Sequence, residues 1–216
     1  MSRSNESIQL RRDNSAQPNK PVVMSGFVLF WLLAPAVLPT VSQEKGPVFE
    51  FDKQESSVKF NVKASVAIEG TFGKWDATMT FPSTDVTTGV LDIKIDAASV
   101  NTGSGMKDDK LKSKDFFDVK DDPYITFHSE KVVQTGPNTF ELPGKFTIRG
   151  VSKDETLAFT ATGKGTGVGE VKGTMAFDRK QYGMNSGIPF IKIADRVEVS
   201  VDLHGKRVGP PLVFKQ

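Results

Sequence analysis

A strict alternation of apolar and polar residues is the feature that most limits how this chain can fold. From Val58 to Ile68 every second residue is apolar, and the residues between are mostly polar. A period of two places alternate side chains on opposite faces of a β-strand, so one face is apolar and the other is solvated. Similar segments recur along the chain at Trp75–Phe81, Val90–Ala97, Ile125–Val133, Phe140–Ile148, Glu155–Thr162, Val168–Asp178 and Val197–Leu203.

Turn-forming residues separate these roughly eight segments, which is typical of an antiparallel architecture. They include Pro82-Ser83, Gly136-Pro137-Asn138 and the glycine-rich stretch Gly163–Gly169. A βαβ rhythm of about 30 residues is absent from the sequence, which disfavours a parallel α/β fold. The pattern therefore predicts an all-β antiparallel domain, built either as two packed sheets or as a closed barrel.

A closed barrel would have a functional consequence, because about eight strands enclose an interior that is either filled by side chains or holds one small ligand. The chain contains 16 Phe but only two Tyr and two Trp. Phenylalanine supplies bulk without a hydrogen-bonding group. Such a lining would suit a hydrocarbon chain and would discriminate poorly between hydrocarbons.

Charge and cysteine content exclude several classes of function. Positions 1–43 carry four basic and two acidic side chains, so the remaining 173 residues hold 24 of each sign. A body with no net charge gives no electrostatic case for binding nucleic acid. The absence of cysteine excludes disulfides, cysteine-ligated zinc and a cysteine nucleophile.

Positions 1–43 resemble an export signal. Residues 22–41 contain no charged side chain and follow Lys20, and Thr40-Val41-Ser42 offers a small-x-small cleavage site. The alternatives are an uncleaved membrane anchor and a buried helix, with Pro35 and Pro39 arguing against a regular membrane span. Met24 is a second candidate start. We expect a periplasmic or secreted protein, anchored to the membrane if the leader is not cleaved.

One stretch, Ser104–Val119, departs from the strand pattern. Its apolar residues are too sparse for a strand and lie among lysines and aspartates. A short helix or a lid over a barrel mouth explains this composition, and a solvated loop pinned by Phe116 and Phe117 explains it equally well. If the segment from Met106 to Phe117 is a lid, it would gate entry to the interior.

Residues suited to catalysis or metal binding are few and scattered. His128 and His204 are the only histidines, and neither has another histidine at metal-ligand spacing. Gly183–Gly187 lacks the G-x-S-x-G order of a nucleophile elbow, and the glycines of Gly163–Glu170 fit no phosphate-binding motif. We expect no catalytic residue, no metal and no cofactor.

Six motifs, in this order, resemble the YceI-like family over about Phe49 to Gly205. They are VNTG (100–103), KDDKLKSKDFFDV (107–119), DPYITFHSEKV (122–132), GKFTIRGVSKDETLAF (144–159), FDRKQYGMN (177–185) and ADRVEVSVDL (194–203).

The resemblance implies an exported, eight-stranded lipocalin-like barrel with a short helical insert near its mouth. It also implies binding of long polyisoprenoid chains, such as quinone or prenyl-phosphate tails. We assign residues 1–43 to the leader, 44–209 to the barrel and 210–216 to a C-terminal tail. Many relatives carry a histidine shortly after the first F-x-V, where this chain has Ala64, so a polar contact to a head group is missing here.

The candidate ligand-binding residues are the large apolar side chains on the inward parity and in the insert, although each of them could equally be core packing. They are Phe60, Val62, Phe72, Trp75, Met79, Phe81, Ile93, Ile95, Phe116, Phe117, Phe127, Phe146, Ile148, Phe159, Met175, Phe177, Met184 and Val199. Cations near the entrance are candidates for a phosphate or quinone head group. They are Lys107, Lys110, Lys112, Arg179 and Lys180.

The expected function is non-enzymatic carriage or sequestration of an isoprenoid or quinone-like lipid. Nucleic acid is not an expected partner, whereas transient contact with the inner membrane is, and the chain would act as a monomer or homodimer. Two alternatives remain at this point: a hydrolase acting on lipid or cell-envelope substrates, and a stress-associated interaction protein whose barrel is simply filled.

Overall fold

The computed structural model describes residues 46–65, 67–163, 166–187 and 192–214. The predicted leader at positions 1–43 lies outside the described residues. One α-helix is present, α1 (Gly105–Lys112), together with short 3-10 turns at Val86–Thr88, Ala97–Ser99 and Arg179–Tyr182. The strands are β1 (Val48–Phe51), β2 (Ser57–Ala64), β3 (Ile68–Phe72), β4 (Trp75–Thr80), β5 (Val90–Asp96), β6 (Val100–Asn101), β7 (Tyr124–Ser129), β8 (Val133–Gln134), β9 (Thr139–Ile148), β10 (Val151–Ala161), β11 (Val168–Asp178) and β12 (Ile193–Val208).

Eight strands form a closed antiparallel barrel in the order β1-β4-β5-β7-β9-β10-β11-β12. The barrel closes because β1 pairs with β4 on one side and with β12 on the other. This confirms the predicted all-β barrel with one short helical insert and decides against two separate sheets. No helix in the described part of the chain is long and apolar enough to cross a membrane.

Strands β2, β3 and β6 complete the wall at the other end of β12. β12 pairs with β1 through its last residues and with β2 through its first ten, from Ile193 to Asp202. β3 pairs with β6, and in the turn after β3 the Gly73 amide donates to the carbonyl of Ser99, the residue before β6, at 3.1 Å. This bond extends the pairing of β3 with β6 by one step.

The boundaries of several predicted strands were wrong, for reasons that are not local. The alternation from Val58 to Ile68 covers two strands, β2 and the start of β3, which pair antiparallel with each other. A period of two continues across the boundary between them, so the pattern alone does not reveal it. The last predicted strand, Val197–Leu203, extends to sixteen residues.

The barrel wall is split between β10 and β11, and an aromatic side chain fills the split. The described pairing of these strands covers only Ala158–Ala161 with Val171–Thr174. Tyr182 is fully buried here, with its ring centroid 5.5 Å from that of Phe146. Its hydroxyl donates to Glu155 Oε1 at 3.0 Å. Burial, followed by this hydrogen bond to a carboxylate, raises the pKa of Tyr182 above its ordinary value.

A layer of leucines crosses the interior. Leu91, Leu142 and Leu203 are 2–4% exposed. Leu142 lies on β9 between Phe140 and Phe146, and Leu203 lies on β12 near its end. We call these three residues the leucine layer.

Leu142→Ala is expected to destabilise the protein by about 2–5 kcal/mol, because a fully packed side chain is removed and the cavity does not collapse completely. Chemical denaturation monitored by tryptophan fluorescence measures the change. Val208→Ala, at a side chain that is 49% exposed, is the control and should shift stability by less than about 0.5 kcal/mol. Equal stability of Leu142→Ala and wild type would contradict the assignment of Leu142 to the packed interior.

Tyr182→Phe is expected to lower stability at neutral pH by about 1–2 kcal/mol, because the hydrogen bond to Glu155 is lost while the aromatic packing remains. A raised pKa in the folded state favours the neutral phenol. This contribution is therefore complete below the unfolded tyrosine pKa of about 10 and is lost as the pH rises above it. Denaturation curves at pH 8 and above pH 10 test this, and a wild-type advantage that grows with pH would contradict it.

Candidate ligand cavities

An apolar cavity, here called the near cavity, lies beneath α1 at one end of the barrel. The centre of a water-sized sphere can reach about 70 Å³ of space there. The wall is almost wholly hydrocarbon, and the polar side chains along it are Lys107 and Arg179. Its apolar lining is Val58, Phe60, Val62, Ile68, Phe72, Ile95, Leu111, Phe116, Phe117, Ile125, Phe146, Ile148, Phe177, Met184, Ile193, Val197 and Val199.

The insert covers this cavity with α1 and with two phenylalanines that follow the helix, Phe116 and Phe117. Leu111 is the buried residue of α1, whereas Met106 is 85% exposed. The ring of Phe117 lies 5.9 Å from that of Phe72 and 6.3 Å from that of Phe60. The helix and the loop pinned by Phe116 and Phe117 are therefore both present, and Met106 contributes nothing to the cavity.

Arg149 connects three segments around the mouth of the near cavity. It occupies the tight turn between β9 and β10 with a positive φ of 54°, followed by Gly150 at 68°. Its guanidinium donates to the Gly183 carbonyl at 2.5 Å and to the Lys114 carbonyl at 2.9 Å. The turn, the segment after α1 and the loop after β11 are thus held together by one side chain, which the sequence pattern did not single out.

Arg179 is 6% exposed and lines the near cavity, but most of its donors serve the backbone. Its Nε donates to the Ala194 carbonyl at 3.1 Å, and its terminal nitrogens reach the carbonyls of Met184 and Ser186 and one oxygen of Asp195. These bonds hold the loop that carries Met184 into the cavity. Contact of Arg179 with a head group stays a prediction.

The lysine candidates differ in their surroundings. Lys107 lines the cavity and has no ion-pair or hydrogen-bond partner among the described residues. Lys110 pairs with Asp115 at 2.5 Å, and this lowers the pKa of the Asp115 carboxyl. Lys180 pairs with Asp195 at 2.9 Å, and Lys112 lines no described cavity. Lys107 is therefore the lysine best placed to meet an anionic group at this mouth.

A second apolar cavity, the far cavity, lies at the opposite end of the barrel and offers about 110 Å³ to the centre of a water-sized sphere. Leu212 and Phe214, which the sequence assigned to a C-terminal tail, line it and pack on the core. No sequence pattern marked Leu212 and Phe214, because the segment after Pro210-Pro211 is too short to show a periodicity. Its other large apolar lining residues are Phe49, Phe51, Met79, Phe81, Val86, Val132, Phe140, Phe159, Val168 and Val171.

A small central cavity of about 30 Å³ adjoins the near cavity, with which it shares Ile95, Ile125 and Phe146 among other wall residues. The predicted ligand residues Ile93, Phe127 and Met175 line it. Trp75 lines none of these cavities; it is buried in the wall opposite Ile95. The other predicted residues divide between the near cavity (Phe60, Val62, Phe72, Ile95, Phe116, Phe117, Phe146, Ile148, Phe177, Met184 and Val199) and the far cavity (Met79, Phe81 and Phe159).

Both histidines lie on the outer face of the barrel. His128 Nδ1 lies 2.6 Å from Asp92 Oδ1, and the hydrogen bond that the imidazole donates to Asp92, with a second donated to Glu130, raises the pKa of the imidazole. Neither histidine lines a described cavity. Neither histidine therefore supplies a base that points into the apolar interior.

One outer-face group has the chemistry of a metal site. Glu170, Asp202 and His204 bring one ligand atom each within 4.8 Å of one another. They share β11 and β12 with Lys172, whose ammonium lies 2.5 Å from Glu170 Oε1. The Lys172 ammonium is therefore already a counter-ion to the Glu170 carboxylate, and it lowers the pKa of that carboxyl.

The fold matches solved bacterial structures. BcnA of Burkholderia cenocepacia shares 28% identity at a TM-score of 0.65, over 72% of this chain and 99% of that one. The YCEI protein of Campylobacter jejuni shares 25% identity at a TM-score of 0.54, over 64% and 84%. A polyisoprenoid binding domain from Saccharophagus degradans has a TM-score of 0.58 at 16% identity, over 75% and 98%, which supports the fold alone.

Sequence relatives agree with this placement. A UPF0312 protein of Pseudomonas savastanoi is 34% identical over 98 residues, 45% of this chain and 51% of that protein, so the chain spans about half the length of such relatives. The UPF0312 protein SA2479 of Staphylococcus aureus is 30% identical over 145 residues, 63% and 82% of the two chains. The family model described as the YceI-like domain matches residues 49–205. The chain belongs to the YceI-like family.

Proposed function

We propose that this protein binds one long isoprenoid chain without covalent chemistry, in the near and central cavities, and so carries or sequesters the lipid. The observation that carries the proposal is a hydrocarbon-lined cavity beneath a small lid, with Lys107 at its rim and no ion-pair partner for that lysine in the described part of the chain. A quinone or a polyprenyl phosphate satisfies this pattern, because each joins an apolar chain to a polar head.

The lid has to yield before a chain can enter. Ligand cavities usually measure about 300–1,000 Å³, whereas the near cavity has about 70 Å³. α1 contributes one buried side chain, Leu111, so the apolar contacts of the insert come mainly from Phe116 and Phe117. Moving those two rings outward would join the cavity to solvent and enlarge it.

The energetics favour an apolar chain once it is inside. Burying about 400 Å² of hydrocarbon at about 25 cal/mol per Å² gives on the order of 10 kcal/mol before losses. Association costs at least about 4 kcal/mol, and displacing the two rings costs more. Micromolar affinity therefore does not require a strong polar contact.

The comparisons support isoprenoid over other chains in one respect. The Saccharophagus degradans domain, whose fold is shared, is described as polyisoprenoid binding. Export to the periplasm, transient contact with the inner membrane and a monomeric or dimeric state are parts of the same proposal.

A second candidate is an interaction protein whose barrel is filled, and the small cavity volumes favour it. Native mass spectrometry of the full chain purified from bacteria separates the two. The proposal expects an adduct that organic extraction identifies as an isoprenoid. A bare polypeptide mass that stays unchanged after incubation with a C40 prenol would refute the proposal.

Lys107→Gln is expected to weaken binding of a prenyl phosphate about fivefold, because a partly exposed ion pair contributes about 1 kcal/mol. Binding of the matching prenol, which has no charge, should not change. Lys112→Gln on the same helix is the matched control, since it lines no described cavity. Equal losses in both variants would remove Lys107 from the head-group site.

The double variant His128→Ala with His204→Ala is expected to retain wild-type prenol affinity, because both imidazoles lie on the outer face. A lipid-directed hydrolase would instead need a base within about 3 Å of its nucleophile. Incubation with a long-chain ester, followed by product analysis, provides the second measurement. Hydrolysis by wild type that disappears in the double variant would support the hydrolase.

A further inference from the structure

We propose that the far cavity is a second, separate binding site, which takes a single apolar chain ending in a carboxylate. Its occupant would be a fatty-acid-like amphiphile, bound independently of any ligand beneath α1. The inference goes beyond the isoprenoid proposal, because it concerns the opposite end of the barrel.

The leucine layer separates the two sites. Leu91, Leu142 and Leu203 line neither the near, the central nor the far cavity, and they are among the least exposed side chains in the described chain. On β12, Leu203 comes between Val201 of the central cavity and Gly205 of the far cavity. A chain in one cavity therefore does not reach the other without displacing packed leucines.

The far cavity is lined by aromatic rings that pack on one another and leave a gap. Phe140 and Phe159 are stacked with centroids 5.0 Å apart, and Phe49 meets Phe81 edge-on at 5.9 Å. The remaining space, about 110 Å³, exceeds that of the near cavity. An apolar cavity of about 150 Å³ stays dry and takes up a molecule as large as benzene, so a gap of this kind suits a hydrocarbon chain better than water.

A cation lies at the rim of this cavity. Arg207 lies on the inward parity of β12, and its side chain has no ion-pair or hydrogen-bond partner in the described ranges. Its backbone amide donates to the Gly167 carbonyl at 2.7 Å, which fixes the residue at the end of the barrel. A guanidinium beside apolar walls matches the planar, charged end of a carboxylate amphiphile.

Glycines keep the rim open beside Arg207. Gly163, Gly167 and Gly169 of the β10–β11 turn line the cavity without side chains. Gly163 and Gly167 have positive φ values of 76° and 83°, and a Cβ at Gly169 would lie 2.4 Å from the Thr162 carbonyl oxygen. The conformations of Gly163 and Gly167 fit the turn that the sequence predicted here, and these glycines also leave space for a head group.

The C-terminal segment, Gly209–Phe214, contributes Leu212 and Phe214 to the wall of the far cavity. Backbone hydrogen bonds between described residues attach it, among them one from the Val213 amide to the Thr84 carbonyl at 2.7 Å and one from the Val86 amide to the Val213 carbonyl at 3.2 Å. Val213 itself is 62% exposed. A chain longer than the cavity would enter by outward movement of Leu212 and Phe214.

Titration of the delipidated full chain with cis-parinaric acid, a fluorescent polyene fatty acid, tests the site. One equivalent is expected to bind. Arg207→Gln should weaken it about fivefold or more, whereas Arg207→Lys should keep most of the affinity. Lys206→Gln is the matched control, because this neighbour is exposed and lies on the outward parity. A saturating C40 prenol should leave parinarate binding unchanged.

Each opposite result overturns the second site: no parinarate binding, the same affinity in Arg207→Gln and Lys206→Gln, displacement by prenol, or a loss caused by Lys107→Gln instead. Circular dichroism of every variant checks folding, and Arg207→Lys retains the test if Arg207→Gln unfolds. Failure of prenol binding with parinarate binding intact would refute the isoprenoid proposal alone. Native mass spectrometry with both ligands should show two adducts on one chain.

Discussion

The hydrogen bonding of one strand, β12, is the constraint on which the rest of the molecule depends. The strand pairs with β11 from Arg196 to Lys206, with β1 at one end and with β2 at the other. Closure of the barrel and attachment of β2 to it both follow from this strand. Because β12 is sixteen residues long, its inward-facing residues line the near, the central and the far cavity in turn.

The period of two was sufficient to predict antiparallel strands and the side chains that face inward, because strand alternation is a local property. It left open whether the strands form two sheets or a barrel, and the expectation of a barrel came from the family resemblance. It assigned Phe60, Ile95 and Phe146 to the interior, where the structure places them. It did not reveal features that depend on distant segments. The packing of Phe214 on Phe140 and the insertion of Tyr182 between two strands arise from contacts across the fold, so neither has a signature in its own neighbourhood.

Core packing and ligand binding are not competing descriptions of the apolar residues. The same phenylalanines that exclude water from the barrel leave gaps of about 70 and 110 Å³ at its two ends. Gaps of this size forfeit dispersion contacts, which an apolar occupant would restore. A bound chain would therefore stabilise the fold as well as be held by it, in proportion to its concentration.

Arg149 gives the mouth beneath α1 a further property. Its guanidinium is shared between the Lys114 and Gly183 carbonyls, while its Nε is buried with no hydrogen-bond partner among the described residues. Outward movement of the segment after α1 must break the bond to the Lys114 carbonyl. A ligand bound beneath α1 would therefore exchange at a rate that includes this rupture, and not at a rate set by its affinity alone.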